Sequence, residues 1–194
     1  PEPADAPKAL TLAAPKGDIE LQNVSFGYTA EHPILKGIDL KIPAGTRVAI
    51  VGSTGAGKTT IINLLTRFYD VTEGRILLDG HDLREYRMAD LRRSFGVVLQ
   101  DTALFADSVK NNIRYGREDM PDAAVVRAAE VAGADAFIRR LPQGYDTVLA
   151  QSGEELSQGE RQLLTIARAV LTDAPILILD EATSSVDTRT ERIV

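Results

Sequence analysis

Gly52-Ser53-Thr54-Gly55-Ala56-Gly57-Lys58-Thr59 has the spacing G-x-x-x-x-G-K-[ST]. Glycines at these places let the backbone wrap an oxyanion with no Cβ in the way. The exposed N–H groups, and the end of the helix that follows, supply positive potential. A lysine at position 58 reaches the β and γ phosphates of a nucleotide, and a threonine hydroxyl at 59 ligates Mg²⁺. The pattern follows an apolar run, residues 48–51, and opens an amphipathic segment, which is the context that separates a phosphate loop from a chance glycine-rich turn.

A second chemical pair stands at Asp180-Glu181, directly after Ile176-Leu177-Ile178-Leu179. Two adjacent carboxylates at the end of a buried strand repel unless a cation or a polarised water uses them. Asp180 suits a Mg²⁺ shell, and Glu181 suits a general base that orients an attacking water.

The elements that must position these groups are readable from periodicity. Ile19 and Leu21 alternate with Glu20 and Gln22, and Ile38, Leu40 and Ile42 alternate with Asp39 and Lys41, as in half-buried antiparallel strands. Residues 48–51, 97–99 and 176–179 are apolar without alternation, which suits parallel strands covered on both faces. They end at Gly52, Gln100 and Asp180, and ligands of open α/β sheets sit at the carboxyl ends of such strands. Ile61, Leu64, Leu65 and Phe68 share one face of a helix that starts at the phosphate loop. Pro121 and Gly133 bracket another, with Val125, Ala128, Ala129 and Ala132 as its stripe. Leu163, Ile166, Ala167 and Val170 mark a third. Residues 101–172 show no strand pattern and read as a helical subdomain inserted into an α/β core. Residues 1–17 are rich in proline and alanine without apolar period and read as a linker or tail, preceded by an upstream part. Residues 18–194 read as one nucleotide-binding domain.

Leu156-Ser157-Gln158-Gly159-Glu160 follows Gly153 and precedes the third helix. The segment resembles the LSGGQ signature of ATP-binding cassette (ABC) proteins. The rest of that family's order is present: Tyr28 ahead of the phosphate loop, Gln100 at a strand end, the signature, Asp180-Glu181, then Ser184-Ser185-Val186-Asp187. The wording of residues 180–187 most resembles exporters whose ATPase domain is fused after a membrane domain.

The resemblance implies a P-loop ABC-ATPase fold, with a mixed sheet core, an antiparallel β subdomain and an inserted helical subdomain. It implies ATP and Mg²⁺ as cofactors. Nucleotide would be held by Gly52, Ser53, Thr54, Gly55, Ala56, Gly57, Lys58, Thr59 and Thr60, with Tyr28 stacked on adenine. Thr59, Gln100 and Asp180 would form the metal shell, and Glu181, Gln100 and Lys58 the catalytic set. Ser157 and Gly159 would contact the γ-phosphate held by a second such domain, and Asp187 would lie on the loop linking the two sites. The partners implied are that second domain and a transmembrane domain of the same full-length chain, which places the domain on the cytoplasmic face of a membrane. Ser157-x-x-Glu160 is also a capping box for the helix it opens, and both roles can hold together.

The sequence departs from the family pattern in places. Gln158 replaces a glycine, and Glu160 replaces the usual glutamine and adds negative charge beside a γ-phosphate seat. Gln151 stands where exporters often carry an acid. The family's switch histidine lies beyond Asp187, past the last residue given, and His32 and His81 read as surface histidines.

Bulk properties fit this reading. Net charge is −6 over 194 residues, which argues against a broad nucleic-acid surface. There is no cysteine, so no thiolate chemistry, and no apolar run long enough to span a bilayer. A DNA-repair or chromosome type ABC ATPase would need a coiled-coil insertion for which the stretch between Gln100 and Ser157 is too short. A P-loop kinase leaves residues 156–160 unexplained. A regulatory module with a dead site is at odds with the intact Asp180-Glu181.

Overall fold

The computed structural model describes residues 3–29, 31–99, 103–150 and 153–180. They fall into two compact units, Pro1–Phe95 and Gly96–Val194. Gln100, Gln151, Glu181 and residues 182–194 lie outside the described residues.

The first unit is built on a four-stranded antiparallel sheet of order β2-β1-β3-β4. Its strands are β1 (Ile19–Phe26), β2 (Leu35–Ile42), β3 (Glu73–Leu78) and β4 (His81–Asp82). Ile19 pairs with Ile42 and Leu21 with Leu40, so the two alternating runs do form one antiparallel ladder. Ile19, Leu21, Val24 and Phe26 point inward, and Val24 is fully buried. Strands β3 and β4 form a hairpin with Leu78 opposite His81. Its two-residue loop, Asp79-Gly80, has φ of 51° and 85°. Positive φ at both positions is what a type I′ turn demands, and Asp-Gly supplies it.

Helix α1 (Lys58–Leu65) is shorter than its apolar stripe suggested. It ends in a Schellman motif, with the Phe68 N–H donating to the Asn63 carbonyl at 2.8 Å and the Arg67 N–H to the Leu64 carbonyl at 3.1 Å. Arg67 takes the left-handed position at φ 54°. Phe68 is therefore off the helix and 52% exposed, with the Arg92 guanidinium 4.7 Å above its ring.

Residues 48–51, expected as a covered parallel strand, form no ladder among the described residues. Val51 is 92% exposed. A strand exists only through ladder bonds to a neighbour, and no described segment provides one. The first unit also includes α2 (Met88–Arg93), whose first-turn Met88 N–H donates to Asp5 Oδ1 at 2.7 Å. Residues 3–17 form no helix and no strand longer than a single bridge, Leu10 to Tyr86. They are tied to the sheet where Lys16, Gly17 and Asp18 N–H groups donate to the Asp79 carboxylate at 2.7–3.1 Å.

Strand β5 (Phe95–Val98), which begins on the last residue of the first unit, pairs with β6 (Ile176–Leu179), and the second unit packs helices α3 (Val109–Arg114), α4 (Asp122–Val131), α5 (Asp135–Ile138) and α6 (Gln158–Leu171). Helix α4 starts after Pro121, and Gly133 at φ 75° follows its end. Val125, Ala128, Ala129 and Ala132 are all buried in one cluster with Ile113, Ile138, Leu149, Leu164 and Ala167. Small alanines on α4 let α6 approach closely, and burying about ten such apolar side chains supplies roughly 10–20 kcal/mol before entropy. On α6 the buried face runs through Leu164, Ile166, Ala167, Ala169 and Leu171, while Leu163 and Val170 are only half-buried.

Candidate functional site

The phosphate-loop segment sits at the start of α1 in the first unit. Gly57 is the helix N-cap in a left-handed conformation, φ 92° and ψ 12°. A Cβ there would meet Ile34 Cγ2 at 2.9 Å and Leu35 Cδ2 at 3.0 Å. Glycine is thus required twice, by the backbone and by the packing of the loop on the start of β2. We expect Gly57→Ala to destabilise the first unit by about 2 kcal/mol, read as a lowered denaturant midpoint at unchanged slope. An unchanged midpoint would show that the loop relaxes freely.

The loop is closed on itself. The Ala56 N–H donates to the Ser53 carbonyl at 3.0 Å. Lys58 Nζ donates to the Gly52 carbonyl at 2.8 Å and to the Ser53 carbonyl at 3.2 Å. An ammonium has three donors, so it can hold these carbonyls and a phosphate oxygen together. The first turn of α1 carries no side-chain cap and no acidic residue. Its N-terminal potential is therefore available to an anion. Residues 52–56 and Thr59 are exposed, and Thr60 is buried at 5%.

Tyr28 joins this group. Its hydroxyl accepts from Asn63 Nδ2 at 3.1 Å and lies 3.5 Å from Thr60 Oγ1. Phe26 and Tyr69 stand edge-on to it, each with its ring centre 5.1 Å away. The ring is 48% exposed yet fixed at both ends, a suitable platform for a flat heterocycle beside the loop. Asn63 and Tyr69 were not foreseen from the sequence. Their part in the site is a tertiary contact with no motif of its own.

In the second unit, Asp180 follows β6, and its N–H donates to the Val98 carbonyl at 2.9 Å. This ties the acid to the end of β5, one residue before Leu99 and two before Gln100. Gln100 and Glu181 lie outside the described residues, so the metal and catalytic sets are not assembled in what is described. Among the described residues there is no cluster of three or more His, Cys, Asp or Glu side chains able to hold a metal unaided. A cation would need phosphate oxygens as further ligands, as Mg²⁺ on a nucleotide has.

Ser157 is the N-cap of α6, and the capping box is complete. Its hydroxyl accepts from the Glu160 N–H at 3.3 Å and donates to Glu160 Oε2 at 2.8 Å, and the Ser157 N–H donates to the same carboxylate oxygen at 2.9 Å. The two helix starts thus differ. That of α1 has no side-chain cap, whereas that of α6 is closed by an acid. Gly159 lies half-buried in the first turn of α6.

Known proteins carry the same organisation. The family described as ABC transporter matches residues 35–184. An ATP-dependent lipid A-core flippase of Syntrophus aciditrophicus is 51% identical over 191 residues, covering 98% of this chain and 32% of that protein. A mitochondrial iron-sulfur clusters transporter of Yarrowia lipolytica is 49% identical over 188 residues, covering 97% of this chain and 26% of its own length. The structure of a bacterial Atm1-family ABC exporter with ATP bound superposes with a TM-score of 0.94 at 48% identity, over 99% of this chain and 34% of that one. The chain spans about a third or less of the length of these relatives.

Proposed function

This chain belongs to the ABC transporter family, and on that premise we propose that it is the ATP-binding and ATP-hydrolysing motor domain of a membrane exporter. The observation that carries the proposal is the phosphate loop itself, with Lys58 held over an uncapped helix start and Tyr28 fixed beside it. The relatives named above are exporters and transporters of which this chain matches the smaller part, which supports a transmembrane domain in the remainder. No helix among the described residues is long and apolar enough to cross a membrane. The domain would then work at the cytoplasmic face, with the membrane crossed by that other part.

In this reading the first-turn N–H groups of α1 and the Lys58 ammonium hold the β and γ phosphates, and the Tyr28 ring packs on the base. Thr59, Gln100 and Asp180 are the residues of this chain that would hold Mg²⁺. A bound Mg²⁺ would supply positive charge to offset the negative charge developing on the phosphoryl oxygens. Glu181 accepts the proton of the attacking water. Ser157 and Gly159 meet the γ-phosphate bound by a second domain. To do so, the Ser157 hydroxyl must exchange the hydrogen bond it gives Glu160 for one to phosphate, and the Glu160 carboxylate must turn aside.

Hydrolysis by the full-length protein in lipid vesicles tests the proposal. We expect phosphate release that requires Mg²⁺ and stops on chelation with EDTA. Release that persists without metal, or none with it, would overturn the assignment.

A further inference from the structure

Arg168, near the C-terminal end of α6, is the least explained charge in the second unit. No carboxylate is in ion-pair range of it among the described residues. Burial pushes its pKa down, partly offset by Tyr115. Among the described residues its buried Nη2 has no hydrogen-bond partner. A desolvated guanidinium held this way contributes little net stability. Its contacts are nevertheless specific. Nε donates to the Asn112 carbonyl of α3 at 2.9 Å, and Nη1 donates to the Ala103 carbonyl at 3.1 Å. The guanidinium carbon lies 5.3 Å from the Tyr115 ring centre and 5.8 Å from that of Phe105. Those two rings stack at 4.4 Å, and both are exposed.

The segment that Arg168 holds is itself stiff. Asn112, 1% exposed, accepts the Phe105 N–H at 2.8 Å and donates to the carbonyls of Phe105, Asp107 and Ser108 at 3.0–3.2 Å. The same segment also reaches the other end of α6. Leu104 packs so closely on Gly153, just before the signature, that a Cβ there would lie 2.8 Å from Leu104 Cδ1. Arg161 in turn donates to the Leu156 carbonyl at 2.7 Å. The segment leading into α6 therefore meets Leu104 through Gly153, and the far end of α6 meets Ala103 and Asn112 through Arg168.

We propose that Arg168 is a positioning residue that makes the signature end of α6 and the exposed Phe105–Tyr115 pair one mechanical body, so that nucleotide contact at Ser157 and Gly159 is felt at the aromatic pair. The proposal rests on the composite-site reading given under Proposed function. A guanidinium donates along two fixed directions while its plane stacks on a ring, whereas an ammonium keeps the donors but not the rigid planar fork.

Hydrogen–deuterium exchange on the full-length protein in lipid nanodiscs tests it, with and without magnesium and adenylyl imidodiphosphate. In the unaltered protein we expect the nucleotide to slow exchange at both 153–162 and 103–116. In Arg168→Met the slowing persists at 153–162 and is lost at 103–116. Arg168→Lys restores part of it, and it carries the test alone if the methionine variant fails to fold. A purely structural role would raise exchange at 103–116 but leave the nucleotide-dependent difference intact, and that result overturns the proposal. Absence of slowing at 153–162 in the unaltered protein would instead overturn the composite-site reading, and this proposal with it.

Discussion

Lys58→Ala is expected to weaken Mg-ATP binding by at least about a hundredfold, the roughly 3 kcal/mol that a charge-assisted phosphate contact supplies. Two losses combine in this variant. The phosphate loses its cation, and the Gly52 and Ser53 carbonyls lose the donor that closes the loop. Lys58→Met, which keeps the stem but not the donor, should bind as poorly. Equilibrium binding of a fluorescent ATP analogue to the full-length protein reads the effect. Unchanged affinity would remove the phosphate-loop assignment. Stability should change little, because the side chain is only half-buried and its partners are exposed loop carbonyls.

The second large effect is expected at Glu181. Glu181→Gln keeps the shape and hydrogen-bonding length of the side chain but cannot take a proton. Hydrolysis should fall about 10²- to 10⁴-fold, the usual contribution of a general base, while ATP affinity stays within a few-fold. Because ATP then persists, the two domains should remain joined by it. Normal steady-state turnover would exclude Glu181 as the base. Asp180, whose backbone is tied to the Val98 carbonyl, is expected to act differently. Loss of its carboxylate, the proposed Mg²⁺ ligand, should weaken binding as well as rate.

Much of this was legible in the sequence, for physical reasons that differ by element. The β1–β2 ladder was legible because one face is buried and one is wet, so the pleat shows as alternation. Helix α4 was legible because Pro121 and Gly133 mark its ends and its buried face is regular. The β3–β4 hairpin was overlooked, although Asp79-Gly80 is a strong turn signal. The length of α1 was overestimated because apolar spacing continues through Phe68, while the chain turns at Arg67, a residue with no intrinsic preference for positive φ. Residues 48–51 show the reverse limit. An apolar run signals burial, but a strand also needs a neighbour to pair with.

At the site, the glycine-rich loop and the helix that Lys58 begins were readable because the spacing of residues 52–59 is a local pattern. The capping box at Ser157 was readable because its two partners stand three residues apart in the sequence. The double demand on Gly57 was not, because half of it comes from Ile34 and Leu35 on another element. Arg168 was wholly silent. Its partners are main-chain carbonyls of Ala103 and Asn112, and any residue type can supply a carbonyl.

The central claim is that the site on residues 52–59 is completed by residues 157–159 of a second domain. The chain contains no cysteine, so introduced thiols report on their own positions within it. The direct measurement is cross-linking with a short bis-maleimide in the Glu181→Gln full-length protein, with other cysteines removed, carrying Thr54→Cys and Gln158→Cys. The account predicts a Thr54-to-Gln158 link between two domains that appears with Mg-ATP and is absent with ADP. A link that forms equally without ATP, or only within one domain, would contradict it.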